Sequence, residues 1–292
     1  MADDAGGRLA QGEAGAPSEP KPTRTGRNLP VAAAIGVVLG GLVLLTLLTV
    51  KATFLIYVGA VIALALWELR QALAERGIRL PLVPIAAGGA AMITLAYWYG
   101  AQAAVAALAI TVLVLMAWRL PGGSSGYIRD VTASVFTLMY IPALGIFVPL
   151  MLSMPDGARR TLIFVALPVF SDVGGYFAGI LFGRHLMAPV ISPKKTWEGT
   201  AGSVVACLAV GAVTLTWVLH AHVWQGLILG AAGAAAAIVG DLVESIIKRD
   251  LEIKDMGTVF PGHGGAMDRL DSLVFVAPVA WLLLSLFVPH AS

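Results

Sequence analysis

The sequence predicts an all-α, polytopic integral membrane protein with about nine transmembrane helices, and three observations carry that prediction. The first is composition: of 292 residues, 58% are hydrophobic and 12% charged, and mean hydropathy is +0.86. A soluble domain carries roughly 25% charged residues, so most of this chain is unsuited to face water. The second is that apolar runs recur from residue 31 to residue 288 with no soluble-looking stretch between them. The third is charge placement. All but Lys51, Arg159 and Arg160 of the 19 Lys and Arg residues fall in the N-terminal tail or in connections that an alternating topology puts on one side. By the positive-inside rule that side is cytoplasmic.

Taken in order, residues 1–28 are rich in Gly, Ala, Pro and charge and read as a disordered cytoplasmic tail. They do not read as a signal peptide, because the polar region is too long and no small-residue cleavage site follows a short apolar core. Residues 29–292 read as one membrane domain. A helical span needs about 20 apolar residues, and the candidates are 31–50, 52–69, 81–99, 101–118, 131–153, 161–183, 200–219, 224–247 and 270–288. At Lys51 two spans meet with almost no loop, and one long bent hairpin is the alternative there. With the N-terminus inside, the connections 184–199 and 248–268 share the cytoplasmic face. Arg159 and Arg160 remain an exception on the other side. Gly175, Gly179 and Gly183 form a small-residue stripe suited to helix packing.

The net charge of +2, with no run of five like charges, argues against nucleic-acid binding. A single cysteine, Cys207, rules out an intrachain disulfide and a thiol-rich metal site. The acidic residues are more informative. Asp172, Asp241 and Glu244 lie in or at the ends of predicted spans, where a charge costs at least a few kcal/mol unless it is paired or faces a polar cavity. An interhelical polar clamp, or an ion pair with a nearby Lys, is the structural alternative. On a helix, Asp241, Glu244, Ser245 and Lys248 share one face, and Asp268, Asp271 and Ser272 repeat the i, i+3, i+4 pattern at the start of the last span. Two carboxylate-bearing helix ends that meet suit a hard divalent cation such as Mg²⁺; nothing has zinc spacing.

Basic residues surround these acids. Lys248, Arg249, Lys254 and Arg269 are suited to hold phosphates. Gly262, Gly264 and Gly265 around His263 permit turns whose N–H groups can cradle an anion. A solvated, positive-inside loop would account for the basic residues but not for the alternating acids or the Pro-Gly-His-Gly-Gly turn. Ser192-Pro193 reads as a helix start with Pro193 at the first helical position. That would put Lys194 and Lys195 at a helix N-terminus as a phosphate site. Anchoring at the membrane interface is the alternative for the two lysines.

Residues 245–271 resemble the signature of the phosphatidate cytidylyltransferases, or CDP-diacylglycerol synthases: Ser245, Lys248-Arg249, Lys254-Asp255, His263-Gly264-Gly265, Asp268-Arg269 and Asp271. The one departure is Ala266, where that pattern has a larger aliphatic. Ser171-Asp172 with Gly175, Tyr176 and Gly179, and the run Ser192–Gly199, resemble two further segments of the same family. The resemblance covers about residues 130–288; the first hundred residues match only in being apolar spans.

What the resemblance implies is the reaction CTP + phosphatidate → CDP-diacylglycerol + pyrophosphate, in phospholipid biosynthesis. The expected partners are CTP, phosphatidate and the lipid bilayer, with one or more Mg²⁺ ions as cofactor; a homodimer is left open. The expected place is the cell membrane, with the site at its cytoplasmic face and the catalytic portion at about residues 165–275. Asp241 and Asp268 are the expected principal metal ligands, with Asp172, Glu244 and Asp271 as further ones. Lys194, Lys195, Lys248, Arg249 and Arg269 are the expected phosphate contacts, supported by Ser192, Thr196, Ser245, Gly264 and Gly265. His263 either donates to a phosphate or the departing pyrophosphate, or holds the turn. His185, His220, His222 and His290 have no expected role. Two alternatives stand beside this reading: a CTP-dependent transferase for another lipid phosphate, and a cation-coupled transporter, since those also carry intramembrane carboxylates and Gly-broken helices.

Overall fold

A computed structural model describes residues 29–257 and 265–289. The tail 1–28, His263, Gly264 and His290 lie outside the described residues. The chain is an all-α membrane protein, with one small hairpin among the described residues. Among the described residues seven helical stretches are long and apolar enough to cross a membrane.

Helix α1 (Leu29–Leu48) is followed after two residues by α2 (Lys51–Glu75). Lys51 opens α2, and its ammonium donates to the Met154 and Pro155 carbonyls at 2.9 and 3.1 Å. The apolar runs 81–99 and 101–118 form one element, α3 (Leu82–Arg119), with non-helical backbone at Gly100 (φ 81°, ψ −171°). That positive φ suits glycine, and it folds the element back on itself: a methyl group at Gly88 would collide with the Thr111 side chain. The two runs are therefore the arms of a hairpin. Next, α4 (Tyr127–Leu138) passes through a π-helical turn at Met139–Ala143, which contains Pro142, into α5 (Phe147–Leu152). Proline lacks the amide that a regular turn needs, so a π-turn there is expected.

Helices α6 (Gly157–Phe182), α7 (Trp197–Val218), α8 (Val223–Asp250) and α9 (Met267–Phe287) form the second half. The glycine stripe packs α6 on α7 as expected, with Gly174, Gly175 and Gly179 against Gly199, Gly202 and Ser203. Gly211, Gly226 and Gly230 bring α7 equally close to α8. Buried Cys207 donates from Sγ to the Leu167 carbonyl at 3.3 Å. One hydrophobic core joins α2, α3 and the π-turn to Met267 and Val274 of α9. A second lies among α5 to α9 around Leu152, Leu167, Leu229 and Ala280.

Arg160, the exception in the charge pattern, is fully buried. Its guanidinium pairs with Asp156 at 2.8 Å and donates to the Leu284 and Val288 carbonyls at the end of α9. It gives the Val288 carbonyl a donor and the Leu284 carbonyl, which already takes the Val288 amide, a second one, so its placement follows packing rather than the charge rule.

One expectation is corrected. Ser192-Pro193 does not begin a helix. Residues Ser192–Thr196 form strand β2, antiparallel to β1 (Leu186–Ala188), with Ala188 opposite Ser192 and Leu186 opposite Thr196. Helix α7 starts at Trp197, capped by Thr196, whose Oγ1 accepts from the Gly199 amide at 3.1 Å. A threonine N-cap satisfies an orphan amide that proline cannot, so the helix begins at the threonine. The hairpin is closed by Glu198, which accepts from the Arg184 and His185 amides and meets His185 Nδ1 at 2.6 Å. His185, given no role from sequence, thus braces this hairpin.

Candidate active site

The acids on α8 and α9 meet because the helices touch beside them. A methyl group at Gly240 would collide with the Asp271 carbonyl and the Phe275 ring. Ser272 Oγ also donates to the Ala237 carbonyl at 3.2 Å. This close approach brings carboxylate oxygens of Asp241, Glu244 and Asp271 within 4.8 Å of one another. Glu244 is buried and its Oε1 has no hydrogen-bond partner among the described residues. Three convergent carboxylates with an unsatisfied buried oxygen form the kind of hard oxygen set that holds a divalent cation.

Two lysines offset that charge. Lys195, from β2, forms an ion pair with Asp241. Lys248, one turn beyond Glu244, pairs with it and with Asp268 Oδ1 at 2.9 Å. Because Lys195 and Thr196 sit on a strand, the hairpin rather than a helix end delivers the lysine. Lys194, next to it on β2, is exposed.

Asp268 is not one of the three convergent carboxylates but adjoins them, sharing Lys248 with Glu244. Its Oδ2 accepts from the Gly265 amide at 2.7 Å and the Met256 amide at 3.3 Å, while Oδ1 takes Lys248. It ties the segments on either side of residues 258–264 to the end of α8. Arg249 points to the hairpin and donates from Nε to the Ile191 carbonyl at 3.3 Å. Ser192 and Ser245 are half-buried and are not among the cavity-lining residues.

Beside Asp241 lies an open cavity of about 600 Å³ among α6, β2, α7, α8 and α9. Asp172, Lys194, Lys195, Thr196, Asp241 and Arg269 line it. Asp172 is solvent-accessible there, brought in by α6, whose Ser171 carbonyl accepts from Ser203 Oγ at 2.7 Å. A second, apolar cavity of about 120 Å³ lies among α1, α2, α5, α6 and α9, and Arg269 lines that one too. A side chain common to a cavity with charged groups on its wall and to an apolar one suits an amphiphile with an anionic head.

Sequence reasoning missed Glu68. This carboxylate of α2 is buried, and its Oε2 accepts from the Met267 amide at 2.9 Å. Methyl groups at Gly257 or Gly265 would collide with it. Gly265 is therefore needed here for close approach to Glu68, beyond any freedom in a turn. A glutamate inside an apolar run was the available signal.

The fold and site define the class first: a polytopic membrane protein that gathers paired acids and bases at one end of its helices, around a cavity open to solvent. Comparison with known proteins gives the family. Residues 31–287 match the model of the cytidylyltransferase family. The phosphatidate cytidylyltransferase of Mycobacterium leprae is 39% identical over 279 residues, covering 90% of this chain and 89% of that one. That of Mycobacterium tuberculosis is 37% identical over 277 residues, covering 90% and 84%. A Staphylococcus epidermidis relative of the same name is 38% identical over 153 residues, covering 52% and 59%. The chain belongs to the cytidylyltransferase family, and it is accordingly a nucleotidyltransferase.

Proposed function

We propose that the protein transfers the cytidylyl group of CTP to phosphatidate, yielding CDP-diacylglycerol and pyrophosphate. The observation that carries this reading is the pairing of the Asp241–Glu244–Asp271 group with Lys195 and Lys248 beside a cavity with charged walls whose Arg269 also borders an apolar one. The names of the relatives support the same reaction.

In the proposed reaction a phosphate oxygen of phosphatidate forms a new bond to the α-phosphorus of CTP. The bond from that phosphorus to the bridging oxygen breaks, and its electron pair leaves with pyrophosphate. The nucleophile is already anionic, so no strong base is required, and repulsion between the two anions is the principal barrier. Mg²⁺, held by Asp241, Glu244 and Asp271 with Asp172 nearby, would neutralise phosphate charge. Lys195 and Lys194 meet the nucleotide phosphates from the hairpin, and Arg269 holds the lipid phosphate while the acyl region occupies the apolar side. Lys248 fixes Glu244 and Asp268, and so the spacing between α8 and α9. This catalytic portion spans about residues 165–275 of the membrane domain.

The proposed setting is the cell membrane, with nine crossings, the two arms of α3 counted separately. The N-terminus is proposed to be inside and the cavity to open to the cytoplasm, where nucleoside triphosphates reside. The charge distribution supports that orientation. The test is radiolabelled CTP with the purified protein, Mg²⁺ and a panel of lipid phosphates. Expected is CDP-diacylglycerol from phosphatidate with stoichiometric pyrophosphate, lost on chelation; preference for a polyprenyl phosphate would refute the assignment.

A further inference from the structure

The helices that bring Asp241, Glu244 and Asp271 together belong to the second half of the chain, yet both helix ends are held by one helix of the first half. Helix α9 begins at Met267 without a cap of its own: Ala266 occupies the N-cap position with helical backbone and has no side-chain acceptor. Orphan amides and the positive end of the helix dipole call for an acceptor, preferably an anionic one. Glu68 supplies it from α2, taking the Met267 amide at 2.9 Å. Its other oxygen has no hydrogen-bond partner among the described residues.

Just past the last residue of α2, its C-cap Arg76 treats the end of α8 in the complementary way. It donates to the carbonyl of Leu251, the C-cap residue, at 2.6 and 3.1 Å from Nη2 and Nε, and pairs with Glu252 at 2.8 Å. Glu252 has φ +52°, a left-handed conformation in the place where helix-ending glycine is usual. The Glu252 and Ile253 amides return to the Arg249 and Lys248 carbonyls at 3.0 and 2.9 Å. The ion pair with Arg76 helps hold that unfavoured conformation.

The geometry points to Glu68 and Arg76 as positioning residues: an acceptor on α2 and a donor at its C-cap that cap the start of α9 and the end of α8. Together they set the separation of the two helices that carry the acidic group. The catalytic consequence rests on the proposed reaction. The structural consequence does not, so the two are tested by different readouts.

The test uses the full chain in nanodiscs. Glu68→Met keeps side-chain length in an apolar span but removes the acceptor. Glu68→Gln retains an acceptor oxygen without the charge. Hydrogen exchange is followed across residues 249–257 and 265–272, Mn²⁺ binding by electron paramagnetic resonance without substrates, and turnover last. For Glu68→Met the expected results are faster exchange at 265–272, at least tenfold weaker Mn²⁺ binding and a kcat down about 10- to 100-fold, with KM for CTP changed less than threefold. Glu68→Gln is expected to restore all of these to within about threefold of the parent. Arg76→Met, on a half-exposed side chain, is expected to speed exchange at 249–257 and weaken Mn²⁺ binding in the same direction but less. Unchanged exchange and Mn²⁺ affinity in Glu68→Met would overturn the positioning role, as would Glu68→Gln behaving like Glu68→Met. Altered exchange and Mn²⁺ binding in a protein that makes no CDP-lipid would support the clamp and sink the proposed reaction instead.

Discussion

Asp271→Asn separates the two things that a carboxylate cluster does. Without a cation, Asp241, Glu244 and Asp271 repel one another; with one, they bind it. Two unit charges 4.8 Å apart, the widest separation within the group, repel by ~3.5 kcal/mol at an effective dielectric of about 20. Asp271 faces two such neighbours, and Lys195 and Lys248 offset most of that repulsion. Neutralising Asp271 should therefore relieve about 1–3 kcal/mol in the metal-free protein. Asparagine keeps the shape and can still accept the Ser272 amide, now held at 2.6 Å. The opposite effect appears with Mg²⁺. At a concentration one hundred times its dissociation constant, the parent gains about 2.7 kcal/mol; a hundredfold weaker site would gain only ~0.4 kcal/mol. The assay is thermal unfolding of detergent-solubilised protein in EDTA and in Mg²⁺, alongside pyrophosphate release. Expected are a melting temperature a few degrees above the parent in EDTA, little further rise with Mg²⁺, and turnover down at least about 100-fold. A variant that melts lower in EDTA, or that keeps the full Mg²⁺-dependent rise, would refute the reasoning.

Two further outcomes follow from the packing. Gly240→Val places methyl groups against the Asp271 carbonyl and the Phe275 ring; overpacking costs about 1–3 kcal/mol. In the same melts it should abolish the Mg²⁺-dependent rise although every carboxylate remains. Arg160→Met removes the donor to the Val288 carbonyl and one of two donors to the Leu284 carbonyl, at about 1–3 kcal/mol. Denaturation should report that loss while turnover per folded molecule stays at the parent value, since none of these groups lines the cavity beside Asp241.

Much of the site was legible in the sequence because helices convert spacing into faces. Asp241, Glu244 and Lys248 are on one face by their spacing alone, and α8 bears this out. The i, i+3 pair Asp268 and Asp271 on α9 was legible too, but not the division of labour between them. Asp271 joins the acidic group, while Asp268, nearly one turn earlier, takes Lys248 and two backbone amides. Nothing local distinguishes two aspartates on one face; their distances to a second helix do. The hairpin 186–196 was not legible because Ser-Pro is also a common helix opening, and the strand pairing with Leu186–Ala188 lies outside that dipeptide.

By itself the sequence determined the fold class and the order of spans, because length and apolarity suffice to commit a segment to a bilayer. It also determined the family signature and the residue types of the site. Only the tertiary structure decided which carboxylates meet, that Lys195 arrives on a strand, that Arg160 serves a helix end, and that Glu68 and Arg76 hold α9 and α8. The physical reason is range. Backbone periodicity fixes directions within one helix, whereas contacts of a few ångströms between helices depend on where small residues such as Gly240 let them approach.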